Sequence, residues 1–362
     1  MNNTPDKNNT PDKNNTPGST PGSTPPSGTP LGGTSRPAGA TVTAYALHIP
    51  GAETPTAGPA SDLFTSLDPA PAAGPDEAHT VLGRKGLLYK EDATRLALCA
   101  VHRAFGLPPG KPKEPLPGAA GTAVVVSSNL GNVRTVRDIV AEMRAGSGHD
   151  VSPLHGPNAS SNVIASTIAI RYGFTGPNLM VCSGATGGLD ALRLGALLLH
   201  AGRAERVVVV GVEPDDAVAR ELAALGPVTA PARAGAACVV LEPAGEGPRL
   251  GPVRHHARPE TAATTAGFTA AAPAGLRLTA PGGPDGGDGA DVADGMDGVD
   301  VTEHLGETYG ARGVVQVALA AAWFASPAAQ PRGALITCGD AEDGYASVRL
   351  DPAGPAPVTE AR

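Results

Sequence analysis

Cys182, Ser183 and Ala185 fall where a short apolar run, Leu179 to Cys182, turns through Ser183-Gly184 into a helical pattern. That pattern is carried by Leu189, Leu192, Ala196, Leu197 and Leu199 and is ended by Gly202. A strand that breaks sharply into a helix is a platform for nucleophilic chemistry. The first helical residue lies among unpaired amide N–H groups at the positive end of the helix dipole, where a thiol readily loses its proton. The residue in that place is Ala185, which offers no nucleophile. Cys182 belongs to the strand, and the burial tendency of free cysteines favours a core position over a displaced reactive thiol.

Other chemistry is poorly represented. Four cysteines, at 99, 182, 238 and 338, form no C-x-x-C pair and each lies in an apolar stretch, so neither disulfides nor zinc sites are expected. The run PGGPDGGDGADVADGMDGVD suggests calcium by composition, but it lacks the tandem nonapeptide spacing and reads as a flexible loop. No metal and no cofactor is expected. A net charge of −8 with no basic, aromatic-interleaved patch argues against nucleic acid. No apolar run reaches membrane-spanning length and the N-terminus is polar, so a soluble cytoplasmic protein is expected.

The elements that would carry the turn read as α/β. Residues 1–40 repeat NNTPDK and GSTP and cannot bury enough apolar surface to fold, so a disordered tail is expected there and a second flexible tail at 352–362. Strands are expected from Thr41, over Ala123–Ser128, Arg206–Gly211, Ala237–Glu242, Ala334–Gly339 and Tyr345–Leu350. Helices are expected over Leu82–Phe105, Val133–Arg144, Asn162–Tyr172 and the end of Val301–Phe324. In the second of these Val133, Val136, Ile139, Val140 and Met143 share one side. With aromatics at only 3%, the core must be built from Ala, Val, Leu and Gly, which suits closely packed helices on sheets.

The segment NASSNVIASTIAIRYGFTGPN, the strand-turn-helix and RVVVVGVE together resemble the β-ketoacyl synthases of the thiolase superfamily. In those enzymes the acyl-carrying cysteine follows a Gly-Pro pair by nine residues counted from the Gly, and a Leu-x-Ala-Leu helix signature begins four residues later. Counting from Gly176 places Ala185 at the cysteine, and Leu189, Ala191 and Leu192 fit the signature. Further on, Gly310, Ala311 and Gly313 match a Gly-Ala-x-Gly turn, which puts Glu307 at a catalytic histidine and Thr302 at a lysine. The other catalytic histidine lies in a His-Gly-Thr-Gly-Thr loop with no counterpart in this chain, and His304 is three residues out of frame.

The resemblance implies a thiolase-like fold in 41–351, with halves of about 41–245 and 246–351, α-β-α-β-α layers and a shortened second half. Decarboxylative condensation needs a thiolate and two imidazoles. A chain that keeps the frame without them resembles the chain length factors of type II polyketide synthases, more those paired with highly reducing, polyene-forming ketosynthases than the aromatic kind. This implies a heterodimer with an active ketosynthase, bounding the tunnel that receives the acyl chain held on an acyl carrier protein. By that likeness Val133, Val136 and Val140 either face the tunnel or are ordinary core residues, and Pro157, Asn158 and Asn162 lie in a loop crossing toward the partner. A competing expectation is an acyltransferase or thioesterase of the same fold, using Cys182 with a nearby histidine.

Overall fold

The computed structural model describes residues 39–52, 61, 63–64, 71–225, 231–269, 274–279, 298–326 and 332–353. The two expected tails and the Gly/Asp run, except for their inner ends, lie outside these residues. Strands β1 (Ala40–His48), β2 (Thr122–Ser127), β3 (Asn178–Val181), β4 (Arg206–Glu213), β5 (Gly235–Glu242), β6 (Arg249–Leu250), β7 (Arg254–His256), β8 (Leu276–Thr279), β9 (Val299–Asp300), β10 (Ala334–Asp340) and β11 (Gly344–Asp351) form one sheet. Its order is β3-β2-β4-β5-β1-β6-β11-β10-β8-β9, with β7 added on β11. The strands before and after the short β6 thus form two blocks, joined where Leu250 pairs with both Ala40 and Leu350.

Alternation of side chains divides the apolar residues between layers. In the first block, Ala123, Val125, Val207, Val209, Ala237 and Val239 face helices α4 (Gly187–His200) and α5 (Arg312–Phe324). Their neighbours Val124, Val126, Val208, Val210, Cys238 and Val240 face α1 (Asp92–Ala104) and α3 (Val163–Tyr172). Ala334, Ile336, Cys338, Ala346 and Val348 of the second block close on α4 and α5 from the other side. That is why α5 is buried on every side from Arg312 to Trp323: it lies between two layers of strands. Beyond the second block, the described part of the outermost layer is a four-residue helix, Ala262–Thr265, and a small cluster of Phe268, Ala274 and Leu335. No described helix is long and apolar enough to cross a membrane.

Three expectations are corrected. The helix expected over Leu82–Phe105 is interrupted, because Gly83 and Gly86 take φ of 71° and 86°, and the long helix starts only at Asp92. Strand β3 is half-buried at the sheet edge and ends at Val181, so Cys182 is neither in the strand nor in the core but exposed. Helix α2 (Val133–Ala145) contains no buried residue, and Val136 and Val140 are 41% and 40% exposed, so its valine stripe is not core.

Candidate functional site

The turn between β3 and α4 is held by side chains from three distant segments: Asn129, Tyr309 through Asp343, and Asp343 itself. Gly184 opens it with φ of 64°, a value that L side chains rarely adopt. Asn129, just after β2, clamps this glycine at both ends, accepting from the Gly184 N–H at 3.1 Å and donating to its carbonyl at 3.1 Å. A single 3-10 turn, Gly184–Thr186, then leads into α4. Helix α4 can reach its position only because Gly188 meets Gly313 at the start of α5: a Cβ on Gly188 would stand 2.7 Å from the Gly313 nitrogen.

Ala185 is 1% exposed at the first turn of this platform. Its N–H is not free. It donates to Asp343 Oδ2 at 2.7 Å, and the Tyr309 hydroxyl donates to the same oxygen at 3.2 Å. Asp343 stands at the tip of the β10–β11 hairpin, where Asp340 Oδ1 accepts the N–H groups of Glu342 and Asp343 at 2.9 and 2.7 Å and fixes the tip. Tyr309 has φ of 38°, the one positive value at a non-glycine among the described residues, so its backbone is held against a local cost. Burial, and then the Asp343 carboxylate, push its phenol up to about 12.

Behind the turn lies Glu213, at the end of β4 and 3% exposed. It accepts from the backbone N–H groups of Asn129 and Leu130 at 2.7 and 3.0 Å and from the Ser128 hydroxyl at 3.1 Å. Burial outweighs these donors and pushes its carboxyl up to about 7. Glu213 therefore positions the 128–130 loop, and through Asn129 the Gly184 turn.

Glu307, in the position that the resemblance gives to a histidine, makes a buried ion pair with Arg312 and accepts from the Tyr309 N–H. Its backbone is held by Pro231 and Arg233 at 3.0 and 2.9 Å. A carboxylate so paired is a structural group, and it could not stabilise a developing negative charge. Thr302 opens the short helix Thr302–Leu305, its N–H and hydroxyl donating to Asp300 Oδ1 at 2.9 and 2.6 Å. His304 lies edge-on to Phe64, 5.7 Å between ring centres.

Cys182 has its sulfur turned back to the Ser128 carbonyl at 3.2 Å. Partial burial of the sulfur, and then the Glu213 carboxylate, raise its pKa, the opposite of what a nucleophilic thiol needs. Pro157 is exposed in the 3-10 segment Pro153–Ala159. Asn158 is buried and donates to the Tyr89 carbonyl at 2.6 Å, while Asn162 ties the start of α3 to the edge strand through Asn178 at 2.8 Å. Val133 and Val136 lie on α2, whose ties to the body are polar: the Thr135 N–H to Glu91 at 3.1 Å and Arg134 to Asp92 at 3.4 Å.

Sequence reasoning brought Ala185 and the turn that carries Glu307 to one place but missed the groups around them. Glu213 was visible as a lone carboxylate closing the apolar run RVVVVGV. Asp340 and Asp343 were visible as a D-x-x-D-G turn between two strands. That this hairpin folds onto residue 185 has no signature in the sequence.

By sequence, residues 84–248 match the β-ketoacyl synthase N-terminal domain. No curated protein sequence matches the chain. By structure, the chain is similar to the ishigamide ketosynthase/chain length factor, with a TM-score of 0.64 at 20% identity, over 87% of this chain and 100% of that one. It is equally similar, at 13% identity over 87% of this chain and 99% of that one, to a type II polyketide synthase acyl-carrier protein in complex with its ketosynthase bound to the hexaketide (TM-score 0.64). A third likeness, TM-score 0.56 at 12% identity over 88% and 72% of the two chains, is to the ketosynthase from module 6 of the bacillaene synthase from Bacillus subtilis 168. Residues 84–248 thus match the β-ketoacyl synthase N-terminal domain, and the chain has the fold of the ketosynthases it resembles.

Proposed function

We propose that this ketosynthase-fold chain is a non-catalytic chain length factor, which pairs with an active ketosynthase and bounds the tunnel receiving the acyl chain from an acyl carrier protein. The observation that carries this reading is Ala185, buried at the start of the nucleophile platform with a carboxylate on its N–H and no thiol to be acylated. The ion pair of Glu307 with Arg312 removes a second site of chemistry. Two surfaces support a partner. Strand β3 is half-buried and has no described strand on its outer edge, and α2 exposes Val136, Val140 and Met143. The structural likeness to a ketosynthase/chain length factor supports the same assignment.

Coexpression with a ketosynthase encoded beside it, followed by purification through a tag on this chain and native mass measurement, tests the reading. The expected result is a one-to-one complex that condenses malonyl units and stops when the ketosynthase cysteine is removed. A stable homodimer that ignores the ketosynthase would refute it.

An acyltransferase or thioesterase built on Cys182 is disfavoured, since the described partner of its sulfur is a backbone carbonyl and its pKa is raised. An acyl adduct on Cys182 after exposure to acyl thioesters, lost in Cys182→Ser, would restore that alternative.

A further inference from the structure

An amide at the first turn of a helix, aimed at the place where a nucleophile would stand, is a donor for developing or resident negative charge. In this chain that donor is occupied from within. Asp343 Oδ2 accepts the Ala185 N–H at 2.7 Å and the Tyr309 hydroxyl at 3.2 Å. The same carboxylate rests against the Gly184 Cα so closely that a Cβ on Gly184 would collide with it. Asp343 is exposed, so it covers the turn from the solvent side.

We infer that Asp343 is a built-in plug: its carboxylate fills the anion-receiving position of the turn and closes this subunit's own acyl site to thioesters. The inference rests on the ketosynthase-fold reading of Ala185, and it adds a second barrier to the missing thiol. Restoring a cysteine would not restore a reactive cysteine, because the plug shields the position and places a negative charge beside any thiolate. An acyl carbonyl could not use the Ala185 N–H while Asp343 holds it. The device therefore leaves the carrier-bound chain one place to react, the partner's site. Three independent features converge on the plug. The Asp340 turn presents it, Tyr309 is held at positive φ with its hydroxyl on it, and Gly184 leaves room for it.

The test compares A185C with A185C/D343A in the full-length chain, both in a Cys182→Ser background that removes the exposed native thiol. Its alkylation by iodoacetamide is followed by peptide mass against pH: the S–C bond forms, iodide leaves and the thiol proton goes to solvent. Glu213 and Asp340 remain in every variant, so the comparison isolates Asp343. The double variant is expected to react at least tenfold faster at pH 7, with its reactivity midpoint lower by about one pH unit or more. D343N, which keeps the size and removes the charge, is expected to lower the midpoint as well. Equal rates and midpoints with and without Asp343 would overturn the plug.

Because a thiol at a position 1% exposed could disturb folding, a second measurement uses the native Ala185. Amide hydrogen exchange of the peptide spanning Gly184 to Thr186 should quicken at least tenfold in D343A. Unchanged exchange would count against the plug. Both readouts are made on this chain alone, so a plug that holds in a chain that never binds a ketosynthase would sink the partner reading only. A stable ketosynthase complex with an unreactive Asp343 would sink the plug only.

Discussion

Glu307 and Arg312 face each other as a buried ion pair, 7% and 1% exposed, across the turn that begins α5. Removing one member of such a pair leaves the other charge without compensation in the interior. Glu307→Gln is therefore expected to cost about 3–5 kcal/mol, read from urea denaturation of the full chain. Replacing both with apolar residues of similar volume, E307L/R312M, should recover much of that loss. A single variant within about 1 kcal/mol of the native chain would show that the pair does not hold the turn.

The Gly188–Gly313 contact sets how closely α4 and α5 approach. In Gly188→Ala the new methyl would lie 2.7 Å from a backbone nitrogen and 2.8 Å from a Cα, neither of which can move as a side-chain tip can. Overpacking of this kind costs about 1–3 kcal/mol. The expected result is a lower denaturation midpoint with an unchanged slope, and an unaltered midpoint would contradict the crossing described.

On α2, Val133→Trp or Val136→Trp is expected to shorten the product of the complex while leaving the complex intact. Neither valine is in the core of this chain, so the added ring should disturb folding little. Product length is read by mass spectrometry and association by native mass. Unchanged length in an intact complex would remove these residues from the tunnel.

His48 is fully buried, its Nε2–H donating to the Ala73 carbonyl at 2.9 Å, and its Nδ1 has no described partner. Burial, with Arg103 nearby adding to it, lowers its pKa from 6.5 to about 4. Below pH 6.5 the unfolded chain takes up a proton that the folded chain refuses, so the contribution to stability is fully present above pH 6.5 and is lost as pH falls toward 4. His48→Gln should flatten the acid limb of the stability profile in that interval. Glu213 acts with the opposite sign: its raised pKa makes the folded chain take up the proton first, so its term is present below 4.5 and lost as pH rises through about 7. Melting temperature against pH for native chain and H48Q reads the difference.

Cys182→Ser is expected to leave the activity of a ketosynthase complex unchanged, since the thiol donates to a backbone carbonyl that a hydroxyl can also reach. Loss of activity in this variant would return attention to Cys182.

The sequence by itself determined the strand-turn-helix around Ala185, the valine strands and the helices that cover them. These are local: apolar periodicity and glycines state the elements, and the spacing from Gly176 states what is missing. Sequence also carried the interruption of the first long helix, in Gly83 and Gly86, although periodicity alone read through it. Tertiary structure decided the rest. Cys182 looks apolar in its neighbours, yet β3 is the sheet edge, all four of its residues are only partly buried, and Cys182 beyond its end is exposed. The α2 stripe looks like a core face, yet the helix is held by Glu91 and Asp92, with Val136 and Val140 left outward. Asp343 is 158 residues from Ala185, and Glu213 is 84 from Asn129. Contacts at such separations are set by the order of strands in the sheet, which no local pattern encodes.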